Sequence, residues 1–253
     1  VATDPRWYQD AVIYQMDVET FRDSDGDGVG DLTGVVESLD YLAGVGVTCL
    51  WLQPFYPSPE RDGGYDVADF YGVSPRYGSL GDVVELTREA ADHGIRVIVD
   101  LVMQHTSDQH PWFKAAVADP QSRFRDYYCW TDTQPAPADA PAAILRKAQE
   151  EVIWSEHPES SGLFRHWFYD FEPDLNYFNP AVEKELHKVV AFWMRLGCSG
   201  FRVDALPYMI DTTGVPEPAG DAYDVVRAMR RRADSLIRRP CSSARRITTC
   251  SGP

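Results

Sequence analysis

Two nearly continuous apolar runs, Val47–Leu52 (VTCLWL) and Ile95–Val102 (IRVIVDLV), constrain this chain more than any other feature. A strand with one wet face would alternate apolar and polar residues, and these runs do not. They read as strands of a parallel sheet whose outer face is covered by helices. The segments around them carry helical spacing. Leu32, Val35, Val36, Leu39, Leu42 and Ala43 recur on one face until Gly44 and Gly46 break the pattern. Val83, Leu86 and Ala90 do the same before His93-Gly94, and Ala11–Met16 precedes them all as a short first strand. Val182, Leu186, Val189, Val190 and Trp193 mark a further helix, leading through Gly197 into a fourth strand at Ser199–Asp204. The alternation predicts an α/β fold.

One connection is too long for a simple strand-to-helix turn. Residues 103–179 carry Trp112, Phe113, Trp130, Trp154 and Trp167, so they are expected to form a small subdomain. Within them Thr133–Ala143 is rich in Pro and Ala and reads as an exposed, mobile stretch. The expected layout has the first three strands and their helices in 7–103, an insertion in 104–178, and a helix, the fourth strand and a following helix in 179–232. The remainder, 233–253, is atypical.

The fourth strand carries the most chemistry. In Gly200-Phe201-Arg202-Val203-Asp204-Ala205, side chains alternate faces, so Arg202 and Asp204 point one way while Phe201 and Val203 point the other. A guanidinium that close favours the charged form of a carboxylate. A fixed carboxylate at a strand end is what a covalent glycosidase nucleophile requires. A structural Arg–Asp pair capping a strand is the alternative reading.

A second cluster is Asp23-Ser24-Asp25-Gly26-Asp27-Gly28-Val29-Gly30-Asp31. Alternate carboxylates around a glycine turn match the oxygen-ligand loops that wrap calcium, with Asp23, Asp25, Asp27 and Asp31 offering carboxylates and Val29 its carbonyl. Gly34 stands where an EF-hand has its bidentate glutamate, so this is not a complete EF-hand. Magnesium fits the same chemistry, and a plain acidic turn is the alternative.

The other strand ends add Asp62 and Tyr65 on a glycine-hinged loop, then Asp100 and His105 after the third strand. In a barrel the C-terminal strand ends converge on one mouth, so Asp62, Tyr65, His105, Arg202 and Asp204 could share a site. That set suits a sugar, with an aromatic face for the ring and Asp, His and Arg for the hydroxyls. Charge agrees with this direction. The net charge is −15, although eight of the 24 Lys+Arg residues lie in 227–253, where Asp234 is the one acid. An acidic body argues against nucleic acid as a partner. No stretch reaches the roughly 18 consecutive apolar residues of a membrane span, and no secretory leader is read at the start. Five cysteines without CxxC spacing fit reduced thiols in a cytoplasm.

Three spaced motifs resemble the α-amylase family of retaining glycoside hydrolases and transglycosylases. They are Asp100-Leu101-Val102-Met103-Gln104-His105, Glu172-Pro173-Asp174-Leu175-Asn176 and Gly200–Ala205, within a resemblance covering about residues 7–210. Inside that family the runs Phe55–Pro59, Arg61–Val67 and His105–Phe113 are similar to trehalose synthases (maltose α-glucosyltransferases). The pentapeptide at 172–176 is also similar to oligo-1,6-glucosidases. The resemblance implies the N-terminal part of a TIM-type (β/α)8 barrel with a subdomain inserted after the third strand. It implies Asp204 as nucleophile with Arg202 fixing it, Asp62, Tyr65 and His105 binding the sugar, and Asp100 as a structural partner. The implied substrate is an α-linked glucoside such as maltose. Gln104 stands where the family usually has Asn, and Glu172 where close relatives usually have Gln, which adds a negative charge near the site.

The general acid is the missing element. Retaining glycosidases need a second carboxyl about 5–5.5 Å from the nucleophile, and in this family it ends the next strand. Nothing after Asp204 reads as strand plus Glu, and Glu217 in its proline-rich loop is not read as a substitute. Roughly four of eight strand–helix units are present. The chain is therefore expected to be an inactive fragment, a sugar-binding module or a pseudogene product, with an open barrel edge prone to self-association. The tail beyond about residue 232 reads as out of frame or unrelated.

Overall fold

A computed structural model of the chain describes residues 6–133, 153–209 and 223–237. The first elements are β1 (Ile13–Met16), α1 (Val18–Phe21), α2 (Leu32–Val36), α3 (Leu39–Gly44), β2 (Cys49–Leu52), α4 (Leu80–Asp92) and β3 (Arg96–Leu101). There follow α5 (Pro111–Ala118), β4 (Trp130–Thr131), β5 (Trp154–Glu156), β6 (Leu163–Arg165), α6 (Pro180–Arg195), β7 (Gly200–Val203), α7 (Leu206–Met209) and α8 (Tyr223–Ile237). Glu217, the stretch after Thr133 through Ala143, and the tail from residue 238 lie outside the described residues.

The four strands expected from the sequence form one parallel sheet in the order β1-β2-β3-β7. Leu50, Leu52, Val97, Val99 and Leu101 share a buried cluster with Val83, Leu86 and Ala90 of α4 and Leu186, Val189, Val190 and Trp193 of α6. Each such aliphatic side chain contributes about 1.5–3 kcal/mol by leaving water. Trp193 anchors the layer. Its indole N–H donates to the Phe70 carbonyl at 2.8 Å, and its ring meets Phe55 and Tyr56 edge-on. The strands at the sheet edges, β1 and β7, are less covered, and Ile13 and Tyr14 are exposed.

Local chemistry explains where the helices begin and end. Ser79 and Asp82 form a capping box on α4, with Asp82 Oδ2 accepting from the Ser79 N–H at 2.7 Å. Asn179 caps α6 and Pro180 fills its first turn, where a missing N–H does no harm. At the far end of α6 the Thr87 hydroxyl donates to the Leu196 carbonyl at 2.9 Å, tying α4 to α6. Gly197 follows at φ +108°, and a Cβ there would lie 2.4 Å from Thr87 Oγ1. Only glycine fits this turn, which aims the chain into β7.

The helical pattern over 32–43 predicts one helix, and the chain instead forms two. The Ser38 hydroxyl donates back to the Gly34 carbonyl at 2.8 Å, and the Ser38 N–H turns to Val35. That local competition ends α2 before α3 starts.

Residues 104–178 hold α5 and a three-stranded antiparallel sheet in the order β4-β6-β5. Phe113 packs against Tyr128, Trp130 and Phe164, an aromatic group continuous with the core under the parallel sheet. Two bridges, His105 to Asp174 and Tyr128 to Leu175, make the stretch around Asp174 a strap between the segment after β3 and the residues before β4. A buried ion pair, Arg165 Nη1 to Asp174 Oδ2 at 3.0 Å, holds the strap. No described helix is long and apolar enough to cross a membrane.

Candidate active site

The register of β3 and β7 builds the first part of the site. Asp100 and Arg202 are direct neighbours across the parallel pair, so their side chains rise from the same face. Arg202 Nη1 donates to Asp100 Oδ1 at 2.8 Å and to Asp204 Oδ1 at 2.5 Å. Trp51 Nε1 donates to the other oxygen of Asp100 at 2.8 Å, and the Arg202 guanidinium lies 5.1 Å from the Trp51 ring. Asp100 is fully buried with both oxygens satisfied. Burial pushes its carboxyl upward, while the Arg202 and Trp51 hydrogen bonds work against that shift. Burial works to lower Arg202, and its bond to Asp100 and the charges of both aspartates outweigh it and raise the group.

Asp204 sits one step beyond β7, its N–H donating to the Leu101 carbonyl at 3.2 Å. The next residue, Ala205, adopts φ +52°. A left-handed residue with a Cβ costs about 1 kcal/mol. It turns the chain away from the sheet just after the carboxylate. Asp204 keeps 16% of its side chain exposed, whereas Asp100 keeps none. The accessible, guanidinium-bound carboxylate is therefore Asp204.

Tyr65 and His105 lie next to this triad. The Tyr65 hydroxyl reaches Asp100 Oδ2 at 3.4 Å, and burial raises its pKa further beyond reach of neutral pH. His105 is sealed, with Nδ1 2.8 Å from Gln104 Oε1 and Nε2 3.2 Å from the Tyr65 carbonyl. Burial holds its pKa below the usual value, so the ring is neutral. With the Gln104 amide turned over, its otherwise unpartnered Nε2 donates to Nδ1, and His105 Nε2–H serves Tyr65.

Asp62 and Glu172 close the other end of the cluster. Glu172 is fully buried, 3.7 Å from His105 Nε2, and lies in contact with the Asp62 carboxyl. Its own carboxyl is pushed up to about 9, first by burial and then by Asp62 and Asp66. At 3.7 Å, His105 and Glu172 lie beyond hydrogen-bond distance of each other. All six residues expected at the strand ends, Asp62, Tyr65, Asp100, His105, Arg202 and Asp204, thus gather around one set of contacts. Sequence reasoning left out Trp51 and gave Glu172 no site role. Face parity could have found Trp51, because it pairs with Ile98 and shares a face with Asp100 two residues on.

The acidic loop is separate and exposed. Asp23, Asp25 and Asp27 each offer a carboxylate oxygen within 4.8 Å of the others. Asp23 accepts backbone N–H groups from Gly28 and Gly26, which hold it below the usual range. Oδ1 of Asp25 and of Asp27 accept one N–H each, and their Oδ2 atoms accept none among the described residues. Asp31 stands apart from this trio. Its Oδ1 caps α2 through the Gly34 N–H, and its Oδ2 takes the Ser24 N–H and hydroxyl. Burial acts to raise Asp31, and those bonds outweigh it. Asp25 and Asp27, each with an Oδ2 that accepts no hydrogen bond among the described residues, and the neighbouring Asp23 fit a hard cation.

Chemically, a fixed and accessible carboxylate beside an aromatic, a neutral histidine and further carboxyls can attack an acetal carbon while its hydroxyls are held. Comparison with known proteins gives the same direction. The family model Alpha amylase, catalytic domain, matches residues 15–236. Trehalose synthase/amylase TreS of Mycobacterium tuberculosis is 47% identical over 211 residues, which is 83% of this chain and 35% of that protein. Trehalose synthase of Pimelobacter is 40% identical over 232 residues, covering 91% of this chain and 40% of that protein. A solved trehalose-6-phosphate hydrolase of Bacillus licheniformis matches with a TM-score of 0.80 and 34% identity, over 90% of this chain and 43% of its own. The chain thus spans less than half the length of each of these proteins. Its fold is part of a TIM-type barrel, with the insertion after the third strand.

Proposed function

From the premise that this chain belongs to the alpha-amylase catalytic-domain family, we propose that it serves retaining glucosyl transfer from α-glucosides such as maltose, in the manner of trehalose synthases. The observation that carries this reading is Arg202 Nη1 bridging Asp100 and Asp204 at the end of β7. Asp204 attacks the anomeric carbon, the C1–O bond breaks, and a β-glucosyl ester on Asp204 forms. Arg202 orients the attacking carboxylate, with Asp100 and Trp51 fixing Arg202 in turn. Tyr65 and Asp62 are assigned to the sugar, with the sealed His105 holding the Tyr65 carbonyl behind them. The departing oxygen needs a proton, and we assign no general acid among the described residues. The 253-residue chain by itself is thus expected to hold a glucoside without turning it over. Asp23, Asp25 and Asp27 are assigned to calcium or magnesium as a structural ion remote from the chemistry. The three described cysteines are free and buried, in keeping with a cytoplasmic setting.

Hydrolysis is the second reading, favoured by the likeness to the trehalose-6-phosphate hydrolase structure. Incubation with maltose separates the cases. Trehalose formation lost in Asp204→Asn supports transfer, and glucose release lost in the same variant supports hydrolysis. A maltose-dependent rise in melting temperature without product is the result expected for the 253-residue chain. Turnover that survives Asp204→Asn would overturn the role given to Asp204.

A further inference from the structure

Glu172 is a buried carboxyl with no cation within hydrogen-bond distance among the described residues. Its backbone is pinned, since the Glu172 N–H donates to Tyr169 and the flanking carbonyls of Phe171 and Pro173 accept from Asp108 and Thr106. The carboxyl is fully buried, and neither oxygen meets a donor among the described residues. The groups facing it are Asp62 and Asp66 from the loop after β2, His105 from the segment after β3, and Asp174 on its own strap. The neighbouring cations are engaged elsewhere. Arg61 pairs with Asp108 and Asp66 and stacks on Phe171, and Arg165 pairs with Asp174. His105 gives its Nε2 side to the Tyr65 carbonyl. An ionised Glu172 would be a bare anion among anions, which is the most expensive way to bury a carboxyl.

We propose that Glu172 stands in this site as a neutral acid whose own proton makes the hydrogen bond to Asp62, so that one shared proton sets the charge of the wall facing the sugar. This deepens the functional reading above and rests on it for the word sugar. The upward shift of Glu172 to about 9 agrees with the geometry. A glutamine here would donate the same hydrogen bond at every pH, whereas glutamic acid donates it only while protonated. Glu172 is thus a positioning residue, keeping Asp62 aimed at a hydroxyl. Loss of its proton sets Glu172, Asp62, Asp66 and Asp174 against one another and loosens the wall.

Two measurements on the intact chain test this. The first follows carboxyl 13C signals through a pH titration, with the Glu172 resonance assigned by its absence in Glu172→Gln. Its midpoint is expected near 9, and lower in Asp62→Asn. A midpoint in the ordinary carboxylate range would overturn the proposal whether or not any sugar binds. The second measures D-glucose affinity from pH 6 to pH 10. The wild-type chain is expected to lose about tenfold in affinity per pH unit above the midpoint, and Glu172→Gln to stay flat. An alkaline loss shared equally by Glu172→Gln would remove Glu172 from control of the wall. Absence of glucose binding by both proteins at every pH would strike the functional reading, and the 13C midpoint would still decide the acid pair.

Discussion

The two ends of the pocket hold their carboxyl groups in opposite ways. At the end of β7, Asp100 and Asp204 share Arg202, and Trp51 completes the hydrogen bonding of Asp100. The β3–β7 register sets Asp100 beside Arg202, β2 brings Trp51, and Asp204 follows one step beyond β7. At the strap, Glu172 is just as deeply buried as Asp100, but neither of its oxygens meets a hydrogen-bond donor among the described residues. Proximity to carboxylates and burial act on both residues. The guanidinium makes the difference: Arg202 hydrogen-bonds Asp100 and works against the upward push of burial there, and Glu172 meets no such partner among the described residues.

Removing the guanidinium breaks the contrast with the largest expected effect. Arg202→Leu leaves Asp100 buried beside Asp204 without its cation. Breaking a sealed pair costs about 3–5 kcal/mol. Because Arg202 is partly exposed, about 2–3 kcal/mol is expected here by urea denaturation. Adding Asp100→Asn to Arg202→Leu should recover about 1 kcal/mol or more of that loss, since the two residues touch. A purely additive double variant would show that the pair carries no coupling.

The pH dependence of stability sharpens the contrast next. Glu172 has its folded pKa raised from 4.5 to about 9. Its stabilising contribution is full below 4.5 and falls until pH reaches about 9, by up to ~1.4 kcal/mol per unit. Against Glu172→Gln, the wild-type melting temperature is therefore expected to drop steadily across that window and level off above it. His105 has the opposite sign. Its folded pKa is lowered by burial, so its contribution holds above the unfolded value of 6.5 and is lost as pH falls below it. A difference between wild type and Glu172→Gln that does not vary from pH 5 to pH 9 would place a charged Glu172 in the folded chain.

The exposed loop supplies a third way to hold carboxylates and the smallest effect. Asp23 is satisfied by backbone N–H groups alone, and Asp25 and Asp27 keep an oxygen each for an ion. Calcium is expected to raise the melting temperature by a few degrees, following its affinity for the folded form. Chelation should reverse this, and Asp27→Asn should reduce it. Melting that ignores calcium up to millimolar concentrations would leave the loop as an acidic turn.

The strand order and the faces of Asp100, Arg202 and Asp204 were legible in the sequence, because strands alternate faces and unbroken apolar runs belong to covered parallel sheets. Strand ends differ by up to two residues, as in β2, which starts at Cys49 and not at Val47. The break between α2 and α3 was not legible, since it depends on one Ser38 hydroxyl choosing a carbonyl over solvent. The role of Asp31 as a helix cap was also hidden behind its fit to a metal-loop spacing. Glu172 was visible as a letter out of place, read as an added negative charge. Its burial among carboxyl groups is what the proposal of a proton on it rests on. Burial and the absence of a donor arise from three segments folding together, and no local pattern records them.

The central claim is that Asp204, held by Arg202, is a nucleophile toward an anomeric carbon. The most direct test uses 5-fluoro-α-D-glucosyl fluoride, whose C1–F bond breaks without a proton from a general acid. Attack by Asp204 expels fluoride and leaves a glucosyl ester that mass spectrometry of peptides can place. The account predicts one adduct, on the peptide carrying Asp204, absent in Asp204→Asn and slowed in Arg202→Leu. An adduct on any other carboxyl, or none on a chain that binds glucose, would contradict it.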